Sequence, residues 1–249
     1  MIKETQYKLQ PYLSPTMWGK DDEGEIKLYS KIRLKLLKIA NQFYKDLKIK
    51  ARIEDIIFTG SMAGYNYVTS SDIDLHIVVN FDEIDENTEL VSDWLLNKGG
   101  RWNEKHNVEL KSHPVEIYVQ NAGEDNITGG MYSIFYDTWI KFPEKEETVE
   151  YNQEKVIKIT NILTMKIDEF ERFLAGNRSN EEAKKLYDAA VEFKDNIRKY
   201  RQKSLSEEGI YSTGNLVFKQ LRNNEYLKKL SDIVIRAYDL MFLEERKEN

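Results

Sequence analysis

Residues 72–79 read DIDLHIVV, which sets two carboxylates, Asp72 and Asp74, one residue apart in an otherwise apolar run. Side chains alternate across a strand, so Asp72, Asp74, His76 and Val78 share one face while Ile73, Leu75, Ile77 and Val79 share the other and meet a core. Two acids held side by side on a rigid face repel unless water or a cation screens them. A hard divalent ion with oxygen ligands, such as Mg²⁺, is the natural screen. Two such ions about 3.5–4 Å apart form a clamp for phosphoryl-type displacement. A third acid completes the set. Residues 113–120, HPVEIYVQ, alternate Val115, Ile117 and Val119 with Glu116, Tyr118 and Gln120. If this strand lies beside 72–79, Glu116 reaches the same ions. Glu109, in the segment before, is the substitute, and a solvated strand edge is the competing reading for all of them.

The loop ahead of the pair begins Gly60-Ser61. Glycine lets a backbone come close to a phosphate. The serine adds a hydroxyl and an N–H, and a short helix from Met62 onward would aim its first amides at the same anion.

These residues need rigid supports, and the hydrophobic pattern supplies candidates. Residues 25–48 carry apolar side chains near helical period with lysines opposite, which predicts an amphipathic helix. Residues 55–60 (DIIFTG) predict a short buried strand, 61–71 a polar loop, and 72–79 the strongest strand. Residues 86–97 predict a short helix closed by Gly99-Gly100. Two strands follow at 106–111 and 113–120, with Pro114 tolerated at a strand start or edge. Residues 129–141 read as extended and aromatic. Pro143 and the acids Glu144, Glu146 and Glu147 mark a boundary. Beyond it, 151–175, 180–204 and 224–246 predict helices, with a cap at Gly176-Asn177, a loop at 205–215 and a helical turn at 216–222.

Gly60-Ser61, ten intervening residues, Asp72-Ile-Asp74 and a later strand acid at Glu116 resemble the nucleotidyltransferase superfamily typified by DNA polymerase β. The resemblance covers residues 50–120. The pattern along the chain predicts an α+β fold with a C-terminal helical domain, and the resemblance implies a mixed β-sheet nucleotidyltransferase core with flanking helices. The expected division is a catalytic domain at 1–145 and a helical domain at 146–249 that forms the other wall of the cleft and selects the acceptor. It implies two Mg²⁺ ions and a nucleoside triphosphate, ATP, whose nucleoside monophosphate passes to an acceptor hydroxyl with loss of pyrophosphate. Gly60 and Ser61 would hold the triphosphate, Asp72 and Asp74 both metals, and Glu116 the metal that activates the acceptor hydroxyl, helping to take its proton. The stretch 113–143 is similar to predicted nucleotidyltransferases carried by bacteriophages. Gly60-Ser61-Met62-Ala63-Gly64 lacks the arginine of the minimal nucleotidyltransferase antitoxins, and the second motif of tRNA CCA-adding enzymes is missing too.

Composition narrows the rest. The chain has 249 residues, 41% hydrophobic and 32% charged, with few prolines and glycines, as expected of a folded protein rather than a disordered one. It has no cysteine, which excludes disulfides, thiolate metal sites and cysteine nucleophiles. The start, MIKETQYKLQPYL, has no apolar signal core, and no apolar run reaches membrane-spanning length, so the expectation is a cytoplasmic protein with no membrane partner. A net charge of −6 argues against binding long nucleic acid through an overall field, though not against a local patch. The acceptor is thus open between RNA or tRNA, a protein side chain and a small molecule. The alternative is a catalytically inactive fold that only binds nucleotide, and it would be favoured by a Glu116 more than about 8 Å from both aspartates, too far for ions spaced as in a two-metal clamp.

Other residues carry weaker signals. His76 reads as packed or solvent-facing, and His106 and His113 as surface residues flanking a turn. Tyr132, Phe135, Tyr136, Trp139 and Phe142 suit core packing, or else stacking on a base. Arg198, Lys199, Arg201 and Lys203 suit a solvated helix face, or else a phosphate.

Overall fold

A computed structural model describes residues 7–124, 129–145 and 150–242. Two compact units divide the chain, one spanning Tyr7–Thr148 and the other holding the C-terminal helices. The architecture is α+β, with a mixed sheet in the first unit and helices in the second.

The first unit is built on six strands in the order β5-β6-β4-β3-β7-β8. In sequence they are β3 (Ile53–Thr59), β4 (Ile73–Val79), β5 (Glu109–Leu110), β6 (His113–Asn121), β7 (Met131–Ser133) and β8 (Thr138–Lys141). β4 pairs antiparallel with β3 and parallel with β6, so the sheet is mixed. A parallel pair needs a crossover. Here it is α2 (Thr88–Lys105), whose N-cap Asn87 accepts a hydrogen bond from the Leu90 amide at 3.1 Å.

The aliphatic face of β4 is fully buried at Ile73, Leu75, Ile77 and Val79. It packs with Ile117 of β6, with Leu36 and Ala40 of α1 (Ser30–Leu47) and with Leu95 of α2. Each such side chain contributes roughly 1.5–3 kcal/mol by leaving water, and Leu75→Ala would cost about 2–5 kcal/mol.

Helix α2 runs through the glycine pair that the sequence reads as its end. Gly99 is buried on the helix face turned to β6, and a Cβ there would lie 3.0 Å from the Ile117 carbonyl oxygen. Glycine costs about 1 kcal/mol in a helix, but here it lets helix backbone approach strand backbone. The helix therefore continues far enough for Asn103 to reach β6.

Residues 25–29 are not helical either. β1 (Trp18–Lys20) and β2 (Ile26–Leu28) form a hairpin, and its turn is fixed by Asp21, whose carboxylate accepts the amides of Glu23 and Glu25 at 3.0 and 2.9 Å. Trp18 stacks on Phe58 and Trp139 with ring centroids 5.3 and 4.5 Å away. The expected strand at 106–111 shrinks to Glu109–Leu110 because α2 occupies the chain as far as Lys105.

The second unit contains α3 (Gln153–Leu174), α4 (Asn180–Glu208), α5 (Thr213–Asn223) and α6 (Tyr226–Leu240). Ser179 and Glu182 form a reciprocal capping box at the start of α4. The helical turn expected at 216–222 is a full helix, because Gly214 lets α5 begin against α4; a Cβ there would sit 2.5 Å from Ser204 Oγ. Among the described residues no helix is long and apolar enough to cross a membrane. Glu146, Glu147 and the expected helical residues 243–246 lie outside the described residues.

Candidate metal centre

β3 delivers the chain to Gly60, whose φ of 78° and ψ of −165° place it in a region nearly restricted to glycine. One tight turn follows at Ser61–Ala63, where the sequence suggested a short helix from Met62 onward. Its amides close on themselves, Ala63 N–H to Gly60 O and Gly64 N–H to Ser61 O, both at 3.1 Å. Trp18 Nε1 donates to Met62 O at 2.8 Å and anchors the turn to the core. Gly130 crosses closely above it, since a Cβ there would sit 1.9 Å from Ala63 O.

The loop then returns to the sheet through Ser71. Its hydroxyl accepts from Ser61 Oγ at 2.9 Å and from the Val68 amide at 3.0 Å, and its carbonyl lies 2.7 Å from His113 Nδ1. Asp72 follows at once, and β4 begins at the next residue.

Asp72, Asp74 and Glu116 come together: each offers a carboxylate oxygen, and the three oxygens lie within 4.8 Å of one another. The register explains it, for Asp74 and Glu116 are partners across the parallel β4–β6 pair. Asp72 is buried, and Asp74 and Glu116 are half-buried. Glu109, the substitute acid, is exposed on β5 and takes no part in this group.

The donor set fits Mg²⁺. All three ligand atoms are hard oxygens of like charge, close enough to share a cation. The site is also carved to hold a carboxylate, because the Asp74 Oδ2 atom fills the space that a side chain at position 60 would take. A Cβ at Gly60 would lie 1.7 Å from it.

Beyond the acids, the same face continues into Tyr118, His76 and Gln120. The Tyr118 hydroxyl donates to Glu116 Oε2. Burial, and then the Glu116 charge, push the phenol far above its ordinary range, so it stays a proton donor. His76 Nδ1 lies 2.7 Å from Gln120 Oε1, and burial holds its pKa below the usual histidine value despite that bond. The ring lies 5.1 Å from the Tyr118 ring, in keeping with a packed histidine. On the far edge of β6, the Asn103 side chain bonds both backbone groups of Ile117: it accepts from the N–H at 2.8 Å and donates to the carbonyl at 3.1 Å. An amide side chain thus stands where a neighbouring strand would be, one residue beyond Glu116.

His113, read from sequence as a surface residue, is buried under Ser71. Of the aromatic group, Tyr132 is fully buried, and Trp139 packs on Trp18 and Tyr132, while Phe135, Tyr136 and Phe142 are exposed. Arg201 is committed within its own unit, 4.3 Å from the Phe218 ring and 3.1 Å from Asn215 Oδ1, whereas Arg198, Lys199 and Lys203 are exposed on α4. Asp21, Glu23 and Glu25 form a second acidic group, but Lys27 lies 2.9 Å from Asp21 and supplies a positive charge there.

Sequence reasoning did not single out Tyr118, which contacts Glu116, or Asn103, which braces the β6 backbone at Ile117. Period two places Tyr118 beside Glu116, so that signal was present. Nothing local points to Asn103. Comparison with protein-family models, curated proteins and solved structures returned no match to this chain.

Proposed function

We propose that this protein is a Mg²⁺-dependent nucleotidyltransferase of the polymerase β type, acting on a nucleoside triphosphate, ATP by preference. The observation that carries the reading is the convergence of Asp72, Asp74 and Glu116 within 4.8 Å, next to a glycine turn that leaves room for the Asp74 carboxylate.

Asp72 and Asp74 would hold two ions and Glu116 one of them. When bound, Mg²⁺ supplies charge neutralisation on the phosphates and on the attacking and leaving oxygens. The chain does the remainder. Gly60 and Ser61 bind and orient the triphosphate, which lowers the entropic cost of an in-line geometry. The acceptor hydroxyl attacks the α-phosphorus, the bond to pyrophosphate breaks, and the acceptor proton passes to the Glu116 carboxylate and on to solvent. The expected acceptor is RNA, tRNA or a protein; a small molecule is the third class. The expected compartment is the cytoplasm.

The test is incubation with Mg²⁺ and each α-labelled triphosphate in a cell extract, followed by separation of RNA, protein and small molecules. Label in one fraction, lost in an Asp72→Asn, Asp74→Asn variant, supports transfer and identifies acceptor class and base together. No variant-sensitive label in any fraction moves the reading to a nucleotide-binding module.

A further inference from the structure

Glu116 has the longest side chain of the three acids. It has one more rotatable bond than an aspartate, and it faces two like charges across the strand pair. A carboxylate so placed depends on its hydrogen-bond partners for its direction. Tyr118 stands two residues along the same face of β6, and its hydroxyl donates to Glu116 Oε2. The phenol is itself held. Its ring lies 5.1 Å from the His76 ring, and His76 is tied to Gln120 at 2.7 Å. On the other edge of the strand, Asn103 pins the backbone of Ile117, between Glu116 and Tyr118.

We propose that Tyr118 is a positioning residue of the metal centre, its hydroxyl fixing the Glu116 carboxylate towards Asp72 and Asp74 in readiness for the ion. This rests on the reading of the three acids as a metal site, and it adds a fourth residue that acts through Glu116. Groups that orient metal ligands typically change affinity or activity 10–100-fold when removed.

The experiment is Mn²⁺ binding to the full chain without nucleotide, followed by loss of the free-ion paramagnetic resonance signal. It compares wild type, Tyr118→Phe, Glu116→Gln and the double variant. Tyr118→Phe is expected to weaken Mn²⁺ binding about tenfold and to have no further effect in the Glu116→Gln background, since its influence runs through that carboxylate. In nucleotide turnover the same variant is expected to lower kcat more than it changes KM. Unchanged or tighter Mn²⁺ binding by Tyr118→Phe would overturn the proposal, tighter binding meaning that the phenol competes with the ion. Equal weakening in both backgrounds would also overturn it, as a general structural role. If wild type binds no Mn²⁺, the metal reading fails and takes the proposal with it.

Discussion

Asp74 on β4 and Glu116 on β6 face one another as register partners in a parallel strand pair. The pairing turns two acids distant in sequence into neighbours. The crossover helix α2 that makes a parallel pair possible also secures it, through Gly99 and Asn103 against Ile117.

Crowding of the three carboxylates is expected to lower stability when no divalent ion is present. Asp74→Asn removes one of three like charges within 4.8 Å, so without divalent ion its Tm should rise above wild type. Added Mg²⁺ should reverse the order. Binding to the folded state stabilises by about 2.7 kcal/mol at a hundredfold excess over Kd, and the variant should gain little of that. Thermal melts with and without Mg²⁺ measure both.

Gly60→Ala should damage the site and the fold together. The backbone conformation costs roughly 1–3 kcal/mol for any other residue, and the new methyl would displace the Asp74 carboxylate. Gly123→Ala is the control, because Gly123 also has positive φ but nothing lies within 4 Å of a Cβ there. Both variants should lose stability in denaturant titrations. Only Gly60→Ala should lose Mn²⁺ binding.

Asn103→Ala leaves the Ile117 N–H and carbonyl without their side-chain partner. An unmade buried hydrogen bond costs about 2 kcal/mol, which for a domain of this size is roughly 4–8 °C in Tm. Amide exchange at Ile117 should accelerate in step. Retained protection at Ile117 would show that another group takes over.

Asp55 offers a test by pH away from the candidate metal centre. Burial raises its pKa above 3.8, although Ser133 Oγ donates to it at 2.7 Å and the Ile56 amide at 2.6 Å. A raised folded pKa means that the folded state binds the proton more readily, so ionised Asp55 weakens the fold at neutral pH. That penalty fades as pH falls through the raised value towards 3.8. Asp55→Asn keeps the accepting oxygen and should be more stable than wild type at pH 7, with the gap closing towards pH 4. Urea titrations across that range check the sign.

Much of the site was legible in the sequence, because period-two alternation depends only on local geometry. It placed Asp72 and Asp74 on one face and Glu116 on a second strand, while glycine and polar composition marked Gly60-Ser61 as the start of the loop before them. The strands followed from the same alternation, and the C-terminal helices from helical periodicity. What escaped was decided by contacts distant in sequence. Gly99-Gly100 reads as a helix end, yet Gly99 is where α2 touches β6. His113 reads as a surface residue until Ser71 arrives above it. Residues 26–28 fit a helical pattern, but the Asp21 turn folds them back on Trp18. Asn103 carries no motif, and its role exists only once β6 has an edge to fill.

The most direct test of the central claim is anomalous X-ray diffraction from crystals grown with Mn²⁺ and a triphosphate whose α–β bridge cannot be cleaved. The account predicts Mn²⁺ peaks bonded to Asp72, Asp74 and Glu116, with the phosphates against Gly60 and Ser61. Nucleotide bound elsewhere, or a triad that holds no Mn²⁺ while nucleotide is bound, would contradict it.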